Sequence, residues 1–204
     1  MLAVLLLQAV TPETAVEAER AFSRAALTQG QWTAFREFAA TDSTMFVPAP
    51  VKAQDWLRDR KDPPRSVEWW PTDSYVSCDG NLAVNTGGWK RPDGSLGYFT
   101  TVWLRQPDGR FKWLVDHGDG LKIARVRLTD PKVMRASCSG AKTRGHLGDS
   151  VINPEEKSEI HFSSDGSLIW QWRVTPDGAR MFKASLWTGT AYKTVITDQV
   201  PAPK

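Results

Sequence analysis

The chain is short of the residues that most often mark a metal or redox centre. Its 204 residues include three histidines and two cysteines. His117, His146 and His161 show no HxH or HxxxH spacing, and Cys78 and Cys138 form no CxxC motif. Zinc sites usually carry such pairs, so the sequence predicts no metal and no cofactor. A GxSxG nucleophile motif and a glycine-rich phosphate loop are also missing.

Strong net charge and long apolar runs are absent as well. The 26 Lys and Arg residues nearly balance 23 Asp and Glu, and no basic cluster indicates nucleic-acid binding. The apolar run at residues 2–7 is far too short to span a bilayer. We interpret residues 1–10 as the remnant of an export signal that lacks its basic leading region, the alternative being a buried first strand or helical turn. The predicted location is periplasmic or secreted, with the cytoplasm as the alternative.

The state of the two cysteines depends on that location. Cys78 and Cys138 lie far apart in the sequence. In an exported protein they are candidates for a disulfide, because oxidising compartments allow such bonds. In the cytosol they would be free thiols that behave as small apolar side chains.

The first part of the chain has helical patterning. Thr14 and Glu17 have the spacing of a capping box. Phe22 and Ala26 belong to an apolar stripe at helical spacing, and Gly30 is a suitable stop. Helical patterning resumes in residues 31–40, so we expect a helical hairpin or a bent helix.

From residue 67 onward the pattern changes to strands. Asp79-Gly80, Asp93-Gly94 and Asp108-Gly109 are turn signals between apolar segments. Strands at such regular spacing predict an antiparallel meander. Helices followed by a long antiparallel sheet define an α+β fold.

We divide the chain into four parts. Residues 11–127 form the main domain after the signal remnant, residues 128–158 a linker or loop, and residues 159–200 a small C-terminal meander of three strands. A meander of that size is marginal alone, so we expect it to dock on the main sheet or on a partner chain.

Four segments resemble a known family. They are AERAFSRAALTQGQWTAFREFAATDSTMFVP, DWLRDRKDPP, VSCDG and GYFTTVWLRQPDGRFKWLVDHG. Together they are similar to the DUF4440 branch of the SnoaL-like, NTF2-like superfamily, over about residues 18–118. The C-terminal meander is an extension of that core. The resemblance implies a cone, in which a strongly curved antiparallel sheet wraps around the N-terminal helices and leaves an apolar cavity at its open end.

The resemblance implies a range of activities rather than one. Members of the superfamily include isomerases, cyclases, dehydratases, ligand carriers and inert domains, so the fold alone does not identify a function. The isomerases use a carboxylate base, with a tyrosine and a protonated aspartic acid that stabilise the oxyanion. This chain has Phe22 in its first helix and no tyrosine before Tyr75, which argues against direct transfer of that mechanism.

Asp116 and His117 are the candidate catalytic residues. Alternation along the strand predicts that His117 shares a face with Trp113 and points into the cavity, whereas Asp116 points away and orders the following turn. The alternative for His117 is a histidine at the cavity rim without a catalytic role. Asp42, Asp55 and Tyr98 are further polar candidates.

Tryptophans and other aromatic residues are the candidate ligand contacts. The predicted set is Trp32, Phe35, Trp56, Trp89, Tyr98, Trp103 and Trp113, although most such residues in proteins are simply core. We predict that the cone binds a small apolar or aromatic molecule. The alternatives are an enzyme that performs proton-transfer or lyase chemistry, and a non-catalytic module that forms a homodimer.

Overall fold

The computed structural model describes residues 13–140 and 156–203. Three helices lie against one side of a seven-stranded sheet, and a four-stranded sheet covers the other side. The described helices include none that is long and apolar enough to cross a membrane.

The first helix begins and ends where the local sequence predicts, whereas the second ends two residues before the predicted end, because residues 39 and 40 belong to the first strand. Helix α1 (Ala15–Gln29) starts with a complete capping box, in which the Glu17 amide donates to Thr14 Oγ1 (3.2 Å) and the Thr14 amide to Glu17 Oε2 (2.8 Å). Gly30, at φ 117°, separates α1 from α2 (Gln31–Phe38), so the expected bend is confirmed. A short helix, α3 (Ala53–Leu57), follows the first strands.

The main sheet is mixed, whereas the sequence predicts an antiparallel one. Its order is β2-β1-β6-β5-β4-β3-β7. The centre is antiparallel, but β1 pairs with β6 and β7 pairs with β3 in parallel. The strands are β1 (Ala39–Phe46), β2 (Pro50–Lys52), β3 (Glu68–Val76), β4 (Leu82–Lys90), β5 (Leu96–Arg105), β6 (Phe111–Leu121) and β7 (Lys132–Arg135).

Two details of the C-terminal half differ from the prediction. Strand β7 lies in the predicted linker and forms an edge of the main sheet. The meander has four strands, because its predicted first strand is a hairpin closed by an Asp165-Gly166 turn. These strands are β8 (Lys157–Phe162), β9 (Leu168–Val174), β10 (Arg180–Trp187) and β11 (Tyr192–Val200), in the order β11-β10-β9-β8.

The main sheet has a hydrophobic core on each face. On the inner face, Phe22 of α1 packs among Trp69, Trp103 and other side chains of the strands and α2. On the outer face, Val84 and Val102 pack against Trp170 and other residues of the second sheet. The meander therefore docks on its own main sheet, one of the two outcomes expected from the sequence.

Two similar turns hold the sheets together at one end. Residues 77–82 and 163–168 share the pattern S-x-D-G-x-L. The Asp79 amide donates to Asp165 Oδ2 (3.0 Å), and the Cys78 amide donates to Ser167 Oγ (2.7 Å). Cys78 also forms a disulfide with Cys138, which follows β7. Of the two cysteine states that the sequence left open, the structure therefore has the disulfide.

Candidate functional site

A cavity of about 540 Å³ lies between the helices and the inner face of the main sheet. Helices α1 and α2 form one wall, and strands β1 and β3–β6 form the other. Eight aromatic residues line it: Phe22, Trp32, Phe35, Phe46, Trp69, Trp89, Tyr98 and Phe99. Three acidic residues, Glu19, Asp116 and Asp119, also border this largely apolar space. The volume falls within the range of small-molecule pockets.

A β-bulge reverses the predicted directions of Asp116 and His117. Val115 pairs with Val102, but Trp113 pairs with Trp103, so Leu114 is an extra residue in β6. Such a residue interrupts the alternation of faces. Trp113 therefore lies in the inner core and Val115 in the outer one, which brings Asp116 to the cavity and His117 to the outer face. The predicted orientation was wrong.

Asp116 also does not order a turn, because β6 continues beyond it to Leu121. Its Oδ1 accepts a hydrogen bond from Thr101 Oγ1 (3.3 Å) on the adjacent strand. The residue is half-buried and its carboxyl group borders the cavity. Burial there raises its pKa from 3.8 to about 7, because the loss of water disfavours the charged form and the single hydroxyl donor only partly compensates.

Glu19 is the functional candidate that the sequence analysis missed. It lies on α1 and is fully buried. Trp69 Nε1 donates to its Oε1 (2.9 Å), while Trp103 Nε1 (2.7 Å) and Asn85 Nδ2 (3.3 Å) donate to its Oε2. The available signal was its position on the apolar stripe of α1, one residue after Ala18 and three before Phe22.

The environment of Glu19 balances two opposing effects. Burial raises its pKa from 4.5 to about 7, and the nearby Asp116 carboxylate adds to this rise. The hydrogen bonds from Trp103, Trp69 and Asn85 act in the other direction, since they stabilise the ionised form. The cavity is therefore bordered by two acids whose pKa values are both raised to about 7, a property suited to general acid–base chemistry.

His117 lies between the two sheets. Its ring is 5.0 Å from that of Phe46 and 5.9 Å from that of Phe182, measured between centroids. Nδ1 lies 3.7 Å from Asp198 Oδ2, and neither ring nitrogen makes a hydrogen bond. His117 borders the cavity mouth, but its imidazole packs on the second sheet rather than facing Asp116.

The mouth of the cavity contains several charged groups. Asp119 of β6, Arg91 after β4 and Arg180 of β10 all border it. Arg91 is exposed and its guanidinium lies 4.6 Å from the centroid of the Trp89 ring. Arg180 comes from the second sheet, so the C-terminal extension contributes to the opening of the cone.

The predicted aromatic contacts fall into two groups. Trp32, Phe35 and Trp89 line the cavity, and Tyr98 borders it from the outer-face side of β5. The other three lie outside the lining: Trp56 packs against Trp32, and Trp103 and Trp113 are fully buried core residues. Trp103 acts on the cavity indirectly, through its hydrogen bond to Glu19.

The other polar candidates lie away from the cavity. Asp55 is exposed and pairs with Arg58, and Asp42 is an exposed residue of β1. Within residues 13–140 and 156–203, no group of three or more His, Cys, Asp or Glu side chains is arranged to hold a metal ion. His146 lies outside the described residues.

Comparison with known proteins shows a resemblance to NTF2-like and ketosteroid-isomerase-like structures. A candidate ketosteroid isomerase from Parabacteroides distasonis is 20% identical, with 56% of this chain and 94% of that chain covered and a TM-score of 0.45. A second candidate ketosteroid isomerase, from Shewanella frigidimarina, is 18% identical over 52% of this chain and 96% of its own, with a TM-score of 0.40.

An NTF2-like superfamily protein from Salmonella enterica is 14% identical over 54% of this chain and 91% of its own, with a TM-score of 0.40. No family model and no curated protein matches the chain, so assignment to the DUF4440 branch stays a prediction. At these identities and TM-scores the likenesses identify no function, and the proposals below depend on the site alone.

Proposed function

We propose that the cone binds a small molecule with an apolar or aromatic body. The observation that carries this proposal is the 540 Å³ cavity, which is lined by eight aromatic side chains and is not fully enclosed. Such a space buries most of the surface of a small ligand, and a few polar groups then fix its orientation. Glu19 and Asp116 are the polar groups on the inner walls.

A neutral fluorescent probe tests the proposal. N-phenyl-1-naphthylamine should bind the wild type and raise its melting temperature, because a ligand that binds only the folded state stabilises that state. Val67→Trp should abolish binding, since Val67 borders the cavity and the larger ring would fill it. Val133→Trp is the matched control, because Val133 is exposed on β7.

Binding that survives Val67→Trp at wild-type affinity would locate the probe elsewhere and contradict the proposal. The absence of any binding to the wild type would contradict it equally.

A second candidate function is proton transfer on a bound ligand. The observation that favours it is the pair of carboxyl groups whose pKa values are raised to about 7. Asp116 borders the cavity and is the proposed base, and Glu19 is the proposed second acid. A base with a pKa near neutral pH is half ionised there and still accepts a proton effectively.

Hydrogen–deuterium exchange tests this candidate without knowledge of the substrate. In D₂O, 2-tetralone should exchange its protons next to the carbonyl faster with the wild type than without protein, because Asp116 removes a proton and solvent returns a deuteron. Asp116→Asn should lower the rate by about 100-fold, the usual contribution of a general base. Equal rates for the wild type, the variant and buffer would refute it.

The homodimer and the exported location stay predictions. The outer face of the main sheet is covered by β8–β11, so a dimer would need another surface. The Cys78–Cys138 disulfide supports an oxidising compartment. Residues 1–10, in which the export signal was predicted, lie outside the described part of the chain.

A further inference from the structure

Arg180 reaches from the second sheet to the mouth of the cone. It begins β10, and its Nη1 donates to the carbonyl oxygen of Pro48 (2.8 Å). Its Nη2 donates to the carbonyl oxygen of Gly118 (3.2 Å). The residue borders the cavity and is only 8% exposed. Its charged group is therefore fixed in place at the opening.

The guanidinium of Arg180 is incompletely satisfied. It has five N–H donors. Its hydrogen bonds to the two carbonyls leave the buried Nε without a hydrogen bond, and among the described residues its only aromatic contact is the Phe46 ring, whose centroid lies 5.9 Å from the guanidinium carbon. No carboxylate oxygen of the described residues lies within 4.0 Å of it. Burial lowers the pKa of Arg180, and Asp119 opposes that effect from a longer distance. Buried arginines are normally paired, so an anion is the missing partner.

We propose that Arg180 anchors the anionic end of the ligand that the cone binds, so that the ligand is a small amphipathic acid with an apolar or aromatic body. This inference rests on the proposed binding function. Guanidinium groups suit carboxylate and sulfonate oxygens because their donors are planar and remain charged.

The charges around the cavity set the orientation of such an acid. Glu19 and Asp116 line the interior, so the anionic group of a ligand would be repelled if it lay beside them. Arg180 and Arg91 are at the mouth. The anionic group therefore lies at the opening and the apolar body points inward, against Phe35 and the other aromatic residues. The C-terminal extension thereby supplies the residue that selects the ligand's charge.

Two probes with nearly the same apolar body isolate the role of the charge. 8-Anilinonaphthalene-1-sulfonate carries a sulfonate that N-phenyl-1-naphthylamine lacks. The wild type should bind the sulfonate probe at least about tenfold more tightly, the usual effect of a charge-assisted hydrogen bond. Arg180→Gln should lower the affinity for the sulfonate probe by about 10- to 100-fold and should leave the affinity for the neutral probe within about twofold of the wild type.

Matched variants complete the experiment. Arg173→Gln removes a more exposed arginine of the same sheet, paired with Glu156, and should change neither affinity. Asp119→Asn should strengthen binding of the sulfonate probe, because it removes an opposing charge from the mouth. Arg180→Lys should retain part of the preference, because the positive charge is kept.

The outcomes separate this inference from the proposed function. A wild type that binds both probes equally, or an Arg180→Gln variant that loses both equally, overturns the role of Arg180 while cone binding stands. Failure of the wild type to bind either probe overturns the proposed function and this inference with it.

Discussion

Replacement of Asp116 by asparagine should make the protein more stable at alkaline pH. Asp116 is half-buried at the cavity wall and accepts one hydrogen bond, from Thr101. Asparagine keeps an oxygen for that bond and places its NH₂ group at the cavity. The substitution therefore removes a charge that the fold tolerates poorly and leaves the packing almost unchanged.

The size of the effect follows from proton linkage. The pKa of Asp116 is raised from 3.8 to about 7, so the native state holds a proton that the unfolded chain has already lost. The contribution of Asp116 to stability is then greatest below pH 4 and falls as the pH rises to about 7, by about 1.4 kcal/mol per pH unit. Between pH 5 and pH 7 this amounts to about 3 kcal/mol. Because Asp116 is half-buried, contact with solvent screens its charge, and we expect about 2 kcal/mol.

Urea unfolding at pH 5 and pH 8 measures this effect. The difference in free energy of unfolding between Asp116→Asn and the wild type should shift in favour of the variant by about 2 kcal/mol between the two pH values. Asp59→Asn, at an exposed aspartate after α3, is the control and should show no such shift. A difference that stays constant within about 0.5 kcal/mol would refute the assignment of Asp116 as an acid of raised pKa.

Three other predictions test the remaining parts of the structure. Cys78→Ser with Cys138→Ser should cost about 4 kcal/mol of unfolding free energy in urea, because the bond closes a loop of 60 residues; a loss below about 1 kcal/mol would contradict this. Trp69→Phe removes a donor to Glu19 and should raise its pKa further in a ¹³C NMR titration, whereas Trp170→Phe, which loses no hydrogen bond, should leave that pKa unchanged. His117→Phe should keep a free energy of unfolding within about 1 kcal/mol of the wild type in calorimetry and should still bind the probe in the cone, because the ring packs among aromatic residues without a hydrogen bond. Loss of probe binding would show that His117 takes part in the binding site.

Local signals in the sequence predicted the elements well. The capping box of Thr14 and Glu17 and the turns at Asp93-Gly94 and Asp108-Gly109 appear in the structure as expected. Each depends on residues that are close in the sequence, and glycine at positive φ is required in both turns. The helices and the strands between these turns could therefore be predicted without a structure.

The functional site depended on contacts that are distant in the sequence. The bulge at Leu114 follows from how β6 pairs with β5, and a shift of one residue exchanges the directions of Asp116 and His117. Glu19 was missed because its three donors, among them Asn85 and Trp103, come from three different strands. Arg180 lies 62 residues beyond Gly118, to which it donates. Such partners become visible only when the sheets are assembled.

The central claim is that the cone holds a ligand with an apolar body. A crystal structure of the wild type with N-phenyl-1-naphthylamine tests it most directly. We expect electron density for the rings inside the cone, in contact with Phe35 and Trp89 and within reach of Asp116. Density for the probe only on the outer surface, with the cone free of it, would show that the cone is not the binding site.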